Sequence, residues 1–248
     1  DVHGLAVDLE DPNRPYIASH IGLYTVEDGQ LYRVGSTQND LMGFSAHPTE
    51  AGTFFASGHP KTGGNLGFQI SKHGGESWQK VPDGLNGPVD FHALAVSEAN
   101  PQTIYGWHRN SLQKSTDGGQ KWQAVNTDLS GVFSFVSDPK DEQALYSVTS
   151  SGVVVSRDGG NQWSSLSNQQ LISLAIDPSN NQNLVASSAN GILKSSDGGK
   201  SWSEVVGSPG SILYLAYAKS SPATVFAVDG NGLVYKSTDS GLTWAKVN

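Results

Sequence analysis

The stretch STDGGQKW, residues 115–122, decides the fold because four further stretches repeat its pattern. A serine is followed by an aspartate, a glycine and a tryptophan at the spacing S-x-D-x-G-x-x-W. Aspartate and glycine favour tight turns, since the carboxylate accepts hydrogen bonds from turn amides and glycine adopts positive φ. Each copy therefore predicts a turn between two strands. The copies are SKHGGESW (71–78), STDGGQKW (115–122), SRDGGNQW (156–163), SSDGGKSW (195–202) and STDSGLTW (237–244).

The five tryptophans lie 44, 41, 39 and 42 residues apart, and short alternating strands precede each copy. A period near 40 with four short strands per repeat is typical of a β-propeller. Residues 1–35 follow the same plan with an eroded turn motif. The sequence thus predicts one all-β domain, a six-bladed β-propeller with four-stranded antiparallel blades and no strand exchanged between the chain ends. The predicted blades are 1–36, 37–84, 85–127, 128–167, 168–207 and 208–248.

The composition restricts the classes of function. The chain of 248 residues has no cysteine, which excludes disulfides, thiolate metal sites and cysteine nucleophiles. Its net charge of −8 disfavours nucleic acid and anionic membranes as partners. No apolar run is long enough to span a membrane. No signal peptide is recognisable, but a processed secreted chain would look the same, and we expect an extracellular or periplasmic location.

The turn motif resembles the Asp-box (BNR) repeats found in sialidases, sortilins and photosystem assembly factors. This resemblance covers five of the six units and implies a propeller, but it leaves the function open because Asp boxes occur with unrelated activities. The segments DVHGLAVD (1–8), DLMGFSAHP (40–48), ASGHPKTGGNLG (56–67) and VDFHALAVS (89–97) also resemble a group of bacterial Asp-box proteins usually labelled glycosylhydrolase-like. That second resemblance makes a glycoside hydrolase-like enzyme an alternative function.

Histidines concentrate in the first three units. Alignment of the first strands gives His3, Met42 and His92 the same position, which Phe133, Ile172 and Leu213 occupy in units four to six. Alternation along the strand predicts that these side chains share the face towards the central channel. The second strands run back to the same rim, where the alignment places three further histidines. These are His20, His59 and His108.

Six side chains of ligand type on one rim predict a metal site formed by His3, His20, Met42, His59, His92 and His108. Imidazoles with a thioether and no thiolate favour copper, with zinc as the alternative ion. Met42, the single methionine, would be a soft donor; its other interpretation is an apolar channel residue. Asp1, Asp40 and Asp90 precede the channel positions by two residues and could orient the imidazoles. His47 and His73 fall on the opposite rim.

Sialidase activity is disfavoured because that chemistry needs three arginines around a carboxylate. The chain has four arginines, and only Arg109 lies near the histidines. Other glycosidases need two carboxylates at a fixed separation, for which Asp40, Asp90 and Asp229 are candidates. The leading prediction is a secreted or periplasmic metal-binding protein that handles metal rather than catalyses. The alternatives are the hydrolase and a protein-interaction or assembly scaffold, whose partner would be a protein.

Overall fold

The computed structural model describes residues 1–248 and contains 24 β-strands in six four-stranded sheets. Each sheet consists of four consecutive antiparallel strands, which confirms the predicted six-bladed propeller. No helix that could span a membrane is present. Blade 1 contains β1 (Val2–Val7), β2 (Pro15–Ser19), β3 (Gly22–Glu27) and β4 (Gln30–Val34); blade 2 contains β5 (Asp40–Ala46), β6 (Phe54–His59), β7 (Gln69–Ser71) and β8 (Gln79–Lys80); blade 3 contains β9 (Ala93–Val96), β10 (Ile104–His108), β11 (Ser111–Ser115) and β12 (Gln123–Val125).

The other half of the ring has the same construction. Blade 4 contains β13 (Val132–Ser137), β14 (Leu145–Thr149), β15 (Gly152–Ser156) and β16 (Ser164–Ser167); blade 5 contains β17 (Ser173–Ile176), β18 (Leu184–Ser188), β19 (Gly191–Ser195) and β20 (Ser203–Glu204); blade 6 contains β21 (Ile212–Tyr217), β22 (Val225–Asp229), β23 (Val234–Ser237) and β24 (Ala245–Lys246).

The innermost strands β1, β5, β9, β13, β17 and β21 contact one another in order, and β1 contacts β21 to close the ring. They surround a central channel with a cavity volume of about 210 Å³. Blades 1 and 6 share no strand. Their interface is instead a buried apolar cluster in which Val2 and Ile17 pack with Phe226 and Val228. Each fully buried side chain of this size contributes about 2 kcal/mol to stability. Lys236 Nζ also donates to Asn13 Oδ1 across this seam at 2.6 Å, so side chains close the ring without a shared strand.

The Asp boxes form one rim of the propeller, called the box rim here. Ser115 Oγ donates to Asp117 Oδ1 (2.9 Å) and accepts from Gly119 N (2.8 Å), while Asp117 Oδ1 also accepts from Lys121 N (2.8 Å). Trp122 Nε1 donates to Gly119 O at 3.1 Å. Gly119 has φ +89°, and a Cβ there would lie 2.2 Å from the Phe68 ring of blade 2. The box therefore fixes the turn, and its glycine allows the Phe68 ring of the neighbouring blade to pack closely against it. Both features agree with the predicted structural role of the box.

Two histidines belong to this rim, as predicted. His47 Nδ1 accepts from Thr49 N (3.2 Å) and Glu50 N (2.9 Å), the role that the Asp8 carboxylate has in blade 1. Burial lowers the pKa of His47, which keeps the imidazole neutral and able to accept. His73 replaces the box aspartate in blade 2; its side chain makes no hydrogen bond, and the turn is held by Gly75 N donating to Ser71 Oγ at 3.0 Å.

The opposite rim, called the histidine rim here, is where first strands begin and second strands end. The register of β1 and β2 pairs Val2 with Ser19 and Gly4 with Ala18, so His3 is an extra, bulged residue. Phe133 and Leu213 are bulged at the same place in blades 4 and 6. A bulge re-aims a side chain and interrupts strict alternation. In these three blades the residue at the aligned channel position therefore does not follow the alternation of its strand.

Candidate functional site

Three residues meet on the histidine rim at the seam between blades 1 and 2; they are called the Asp40 cluster. His3 comes from the bulge of β1, His20 directly follows β2, and Asp40 opens β5. His20 Nδ1 lies 2.8 Å from Asp40 Oδ2, and His3 Nε2 lies 3.3 Å from Asp40 Oδ1. Asp40 is only 8% exposed. One buried carboxylate of blade 2 therefore lies against two imidazoles of blade 1.

A second group, the Asp90 cluster, lies at the seam between blades 2 and 3. It consists of Asp90, His92 and His59, the last residue of β6. Asp90 Oδ2 lies 2.6 Å from His92 Nε2 and 3.0 Å from His59 Nε2. Asp90 is 4% exposed. In addition, His59 Nδ1 donates to Gly64 O at 2.9 Å, so a loop that passes over this rim orients the His59 ring.

That loop, the GGNLG insertion at residues 63–67, is attached to the blades. Leu66 N donates to Gly58 O (2.7 Å), Gly67 N donates to Val89 O (3.1 Å), and the Asn65 side chain donates to Pro88 O (2.9 Å). These bonds attach the loop to both blades, 2 and 3, that meet at the seam of the Asp90 cluster. The insertion therefore contributes to the local structure of the site.

His108 does not join either cluster, and the strand register explains why. In blade 3, Trp107 pairs with Ala93, the counterpart of the pair between Ala18 and Gly4 in blade 1. His108 is therefore equivalent to Ser19, and Arg109, rather than His108, takes the place of His20. The sequence alignment of blade 3 was one residue out of register. His108 Nδ1 instead contacts the backbone of Asp90, 2.8 Å from its oxygen and 3.2 Å from its nitrogen.

The channel lining includes only part of the predicted set. His3, His92 and Phe133 line the channel, whereas Met42, Ile172 and Leu213 are not among its lining residues. Met42 is half-buried and pairs with Ser57, and the irregularity of β5 lies beyond it, between Met42 and Ser45. The expectation that all six positions face the channel is therefore wrong. Strand geometry does not separate the two groups, since Leu213 is bulged like His3 and Phe133, and both His92 and Ile172 directly precede their strands.

The clusters shift the pKa values of their members in opposite directions. Burial lowers the pKa of His3, which the nearby Asp40 charge only partly offsets. The hydrogen bond with Asp90 raises the pKa of His92 above its ordinary value. Burial raises the pKa of Asp90, but the hydrogen bond and charge of His92, with the charges of His59 and His108, lower it more. Asp90 is therefore held as a carboxylate.

Asp40 and Asp90 have a more central place in the site than their sequence positions indicate. They were expected to orient imidazoles, yet each is the common partner of two of them. Each cluster brings three potential ligand atoms within 4.8 Å of one another. Of the carboxylates considered for a hydrolase, Asp229 caps its own turn by accepting from Asn231 N and Leu233 N at 2.9 Å. The signal that could have identified the clusters was the aspartate two residues before each channel position.

Known structures share the propeller. A GH74 xyloglucanase from Xanthomonas campestris aligns with a TM-score of 0.67 and 17% identity over 99% of this chain, which spans only 45% of the enzyme. A YCF48 bound to a D1 peptide aligns with a TM-score of 0.57 and 18% identity, over 99% of this chain and 81% of the YCF48 chain. YCF48 from Cyanidioschyzon merolae aligns with a TM-score of 0.56 and 15% identity, over 99% of this chain and 84% of the YCF48 chain. At these identities the likeness shows the fold alone. No curated protein matches the sequence.

The sequence also matches the family model described as photosynthesis system II assembly factor YCF48, over residues 68–248. The match covers blades 3 to 6 and the end of blade 2, which is most of the chain. His3, His20, Met42 and His59 precede the matched residues. The match supports the Asp-box propeller resemblance, and it favours the assembly-scaffold alternative over the metal-handling function. The chain belongs to the family of the photosynthesis system II assembly factor YCF48.

Proposed function

We propose that the protein is an assembly scaffold that binds a polypeptide segment of a partner protein. The family match over residues 68–248 carries this proposal. A YCF48 of the same fold, similar over 99% of this chain, is known in complex with a D1 peptide. A propeller suits such a role because its rigid ring presents two broad rims formed by loops, and loops on rigid scaffolds commonly provide binding residues.

The surface chemistry favours the histidine rim as the docking surface. Phe133 is 57% exposed at the mouth of the channel, and Ile21 is 50% exposed on the turn between β2 and β3 at the same rim. Exposed aromatic and apolar side chains inside a polar surface are typical anchors of protein interfaces. Phe133 is a bulged residue and is among those that line the channel.

A matched pair of variants tests the proposal. Leu242 has nearly the same exposure as Phe133, 58%, but lies in an Asp box on the opposite rim. Calorimetric titration with the D1 peptide should give binding to the unmodified protein. Phe133→Ser should weaken that binding about tenfold or more, the usual effect of losing an aromatic anchor, whereas Leu242→Ser should leave it unchanged.

Two results would count against the proposal. Absence of any interaction with the peptide contradicts the scaffold function. Binding that Leu242→Ser weakens as much as Phe133→Ser contradicts the assignment of the histidine rim. Thermal unfolding of both variants provides the control for folding.

A further inference from the structure

The Asp40 and Asp90 clusters have the same composition, two imidazoles and one carboxylate, at two adjacent blade seams. The contacts between imidazole nitrogen and carboxylate oxygen measure 2.6–3.3 Å. Two ligands that are each about 2.1 Å from a tetrahedral ion lie about 3.4 Å apart. The three ligand atoms of each cluster lie within 4.8 Å of one another, so small movements of the side chains would place them around one ion.

Buried polar atoms in both clusters make no hydrogen bond. Asp90 Oδ1 has no partner, and Asp40 Oδ1 and His3 Nε2 lie 3.3 Å apart without forming a hydrogen bond. Both aspartates are more than nine-tenths buried. A buried polar atom without a partner is costly, and native proteins rarely keep one without a functional reason. In the Asp40 cluster, a cation between the carboxylate and the imidazoles provides the missing partner for Asp40 Oδ1 and His3 Nε2.

The surroundings also suit ligand histidines. A metal-binding imidazole usually donates its other ring N–H to a backbone carbonyl or a carboxylate, which directs the free lone pair at the ion. His59 has this arrangement, since Nδ1 donates to Gly64 O while Nε2 faces Asp90. The side chains of His20 and His92 are each 63% exposed, so an ion can reach both clusters directly from solvent.

We propose that each cluster binds one divalent transition-metal ion of the Zn²⁺ type, through His3, His20 and Asp40 in one case and His59, Asp90 and His92 in the other. Imidazole nitrogen and carboxylate oxygen are ligands that Zn²⁺ accepts, and three protein ligands leave its fourth position to water. The copper prediction depended on the Met42 thioether, whereas both clusters consist of nitrogen and oxygen ligands. The proposal is independent of the scaffold function.

The competing explanation is a metal-free clamp, in which the hydrogen bonds simply join neighbouring blades. The two explanations differ in the effect of replacing a carboxylate by its amide. Asp40→Asn and Asp90→Asn keep the side-chain volume and some hydrogen bonding, but they remove the anionic ligand. A clamp would lose stability to the same extent with and without metal. A metal site would lose the metal-dependent part of its stability.

The experiment uses the full chain without a histidine tag, freed of metal by a chelator and then dialysed against Zn²⁺. Elemental analysis and calorimetric titration should give two ions per chain, with a metal-induced rise in the melting temperature. Asp40→Asn and Asp90→Asn should each reduce the number to one. His20→Gln and His59→Gln repeat the test at more exposed ligands, in case an aspartate variant does not fold.

His73→Gln is the control, because His73 is an exposed histidine of the box rim; it should keep both ions. Failure of the unmodified chain to retain Zn²⁺ would overturn the proposal. It would also be overturned if Zn²⁺ binding and the rise in melting temperature persisted unchanged in the aspartate and histidine variants. Peptide binding that depends on Phe133 is unaffected by either result, so failure here is distinguishable from failure of the scaffold function.

Discussion

The two halves of the histidine rim use the same strand positions in different ways. In blades 1 and 2 the residue after the second strand or at its end is a histidine that reaches the aspartate of the next blade. In blades 4, 5 and 6 the strand register gives that position to Ser150, Ala189 and Gly230, which carry no ionisable group. The residue before it closes its own turn in both halves of the ring: Ser19 Oγ donates to Gly22 O, Thr149 Oγ1 donates to Gly152 O, and Ser188 Oγ donates to Gly191 O.

This difference shows how one scaffold combines two kinds of rim. Small residues without an ionisable group after the second strand leave each blade independent of its neighbour at this rim. Polar groups that reach across a seam connect neighbouring blades and place ionisable groups in a partly buried environment. The first half of the ring therefore contains the ionisable chemistry, and the second half resembles an ordinary Asp-box propeller.

The largest expected effect follows from Gly58, which lies beneath the Asp40 cluster. Its φ is +133°, and a Cβ there would lie 2.1 Å from Asp40 O. Ser188 is its counterpart at the end of β18. Gly58→Ala should lower the free energy of unfolding by about 3 kcal/mol, because strain and a backbone clash combine. Ser188→Ala should cost about 1 kcal/mol for one hydrogen bond. Urea unfolding measures both losses in the free energy of unfolding. Equal losses for the two variants would show that the two halves of the rim do not differ at this position.

A smaller loss is expected from the Asp90 carboxylate. Asp90→Ala should lower the free energy of unfolding by about 2 kcal/mol, since hydrogen bonds to charged groups are worth about 1.5–3 kcal/mol and exposed histidine partners reduce the gain. Gln170 occupies the equivalent position in blade 5 and is exposed. Gln170→Ala should change stability by less than about 0.5 kcal/mol. If the two variants unfold alike in urea, the carboxylate has no special role.

The smallest effect is a pH dependence of opposite sign in the two clusters. The pKa of His92 is raised, so its contribution to stability is complete below the unfolded value near 6.5 and is lost as the pH rises through the folded pKa. The pKa of His3 is lowered, so protonation of the unfolded chain destabilises the fold as the pH falls below about 6.5.

Unfolding curves between about pH 5 and pH 8 test this difference. The stability of the unmodified protein relative to His92→Gln should decrease as the pH rises. Its stability relative to His3→Gln should increase over the same range. Two slopes of the same sign would show that the clusters do not differ in this way.

The fold was predictable because five of the six blades repeat a local signal. The serine, glycine and tryptophan of each box, with the aspartate in four of the five, lie within eight residues of chain, so a sequence pattern describes them well. The site was predictable only in outline. His3, His20, His59 and His92 could be placed on one rim, but a bulge and a one-residue shift of register decide where each side chain points. Register depends on cross-strand pairing, which a single strand's sequence does not contain.

The partners of the histidines were also hard to predict, because they belong to different blades. Asp40 and His20 are separated by twenty residues of chain and a blade boundary, yet their side chains are 2.8 Å apart. The function was the hardest feature to predict from the sequence, since Asp boxes and histidines are compatible with several activities. The family match shows the family and favours the assembly-scaffold proposal, while the copper ion and the extracellular or periplasmic location remain predictions.

The closure of the ring by side chains, without a shared strand, has a consequence for hydrogen exchange. Five of the six blade seams are also joined by the chain, whereas the seam between blades 1 and 6 depends on its apolar cluster and on the hydrogen bond from Lys236 to Asn13. Partial opening is cheapest where the fewest connections are broken. We expect the amides of β1 and β21 to exchange through such an opening before those of β9 and β13. The Asp40 cluster lies on the other side of blade 1, so this fluctuation would leave it assembled.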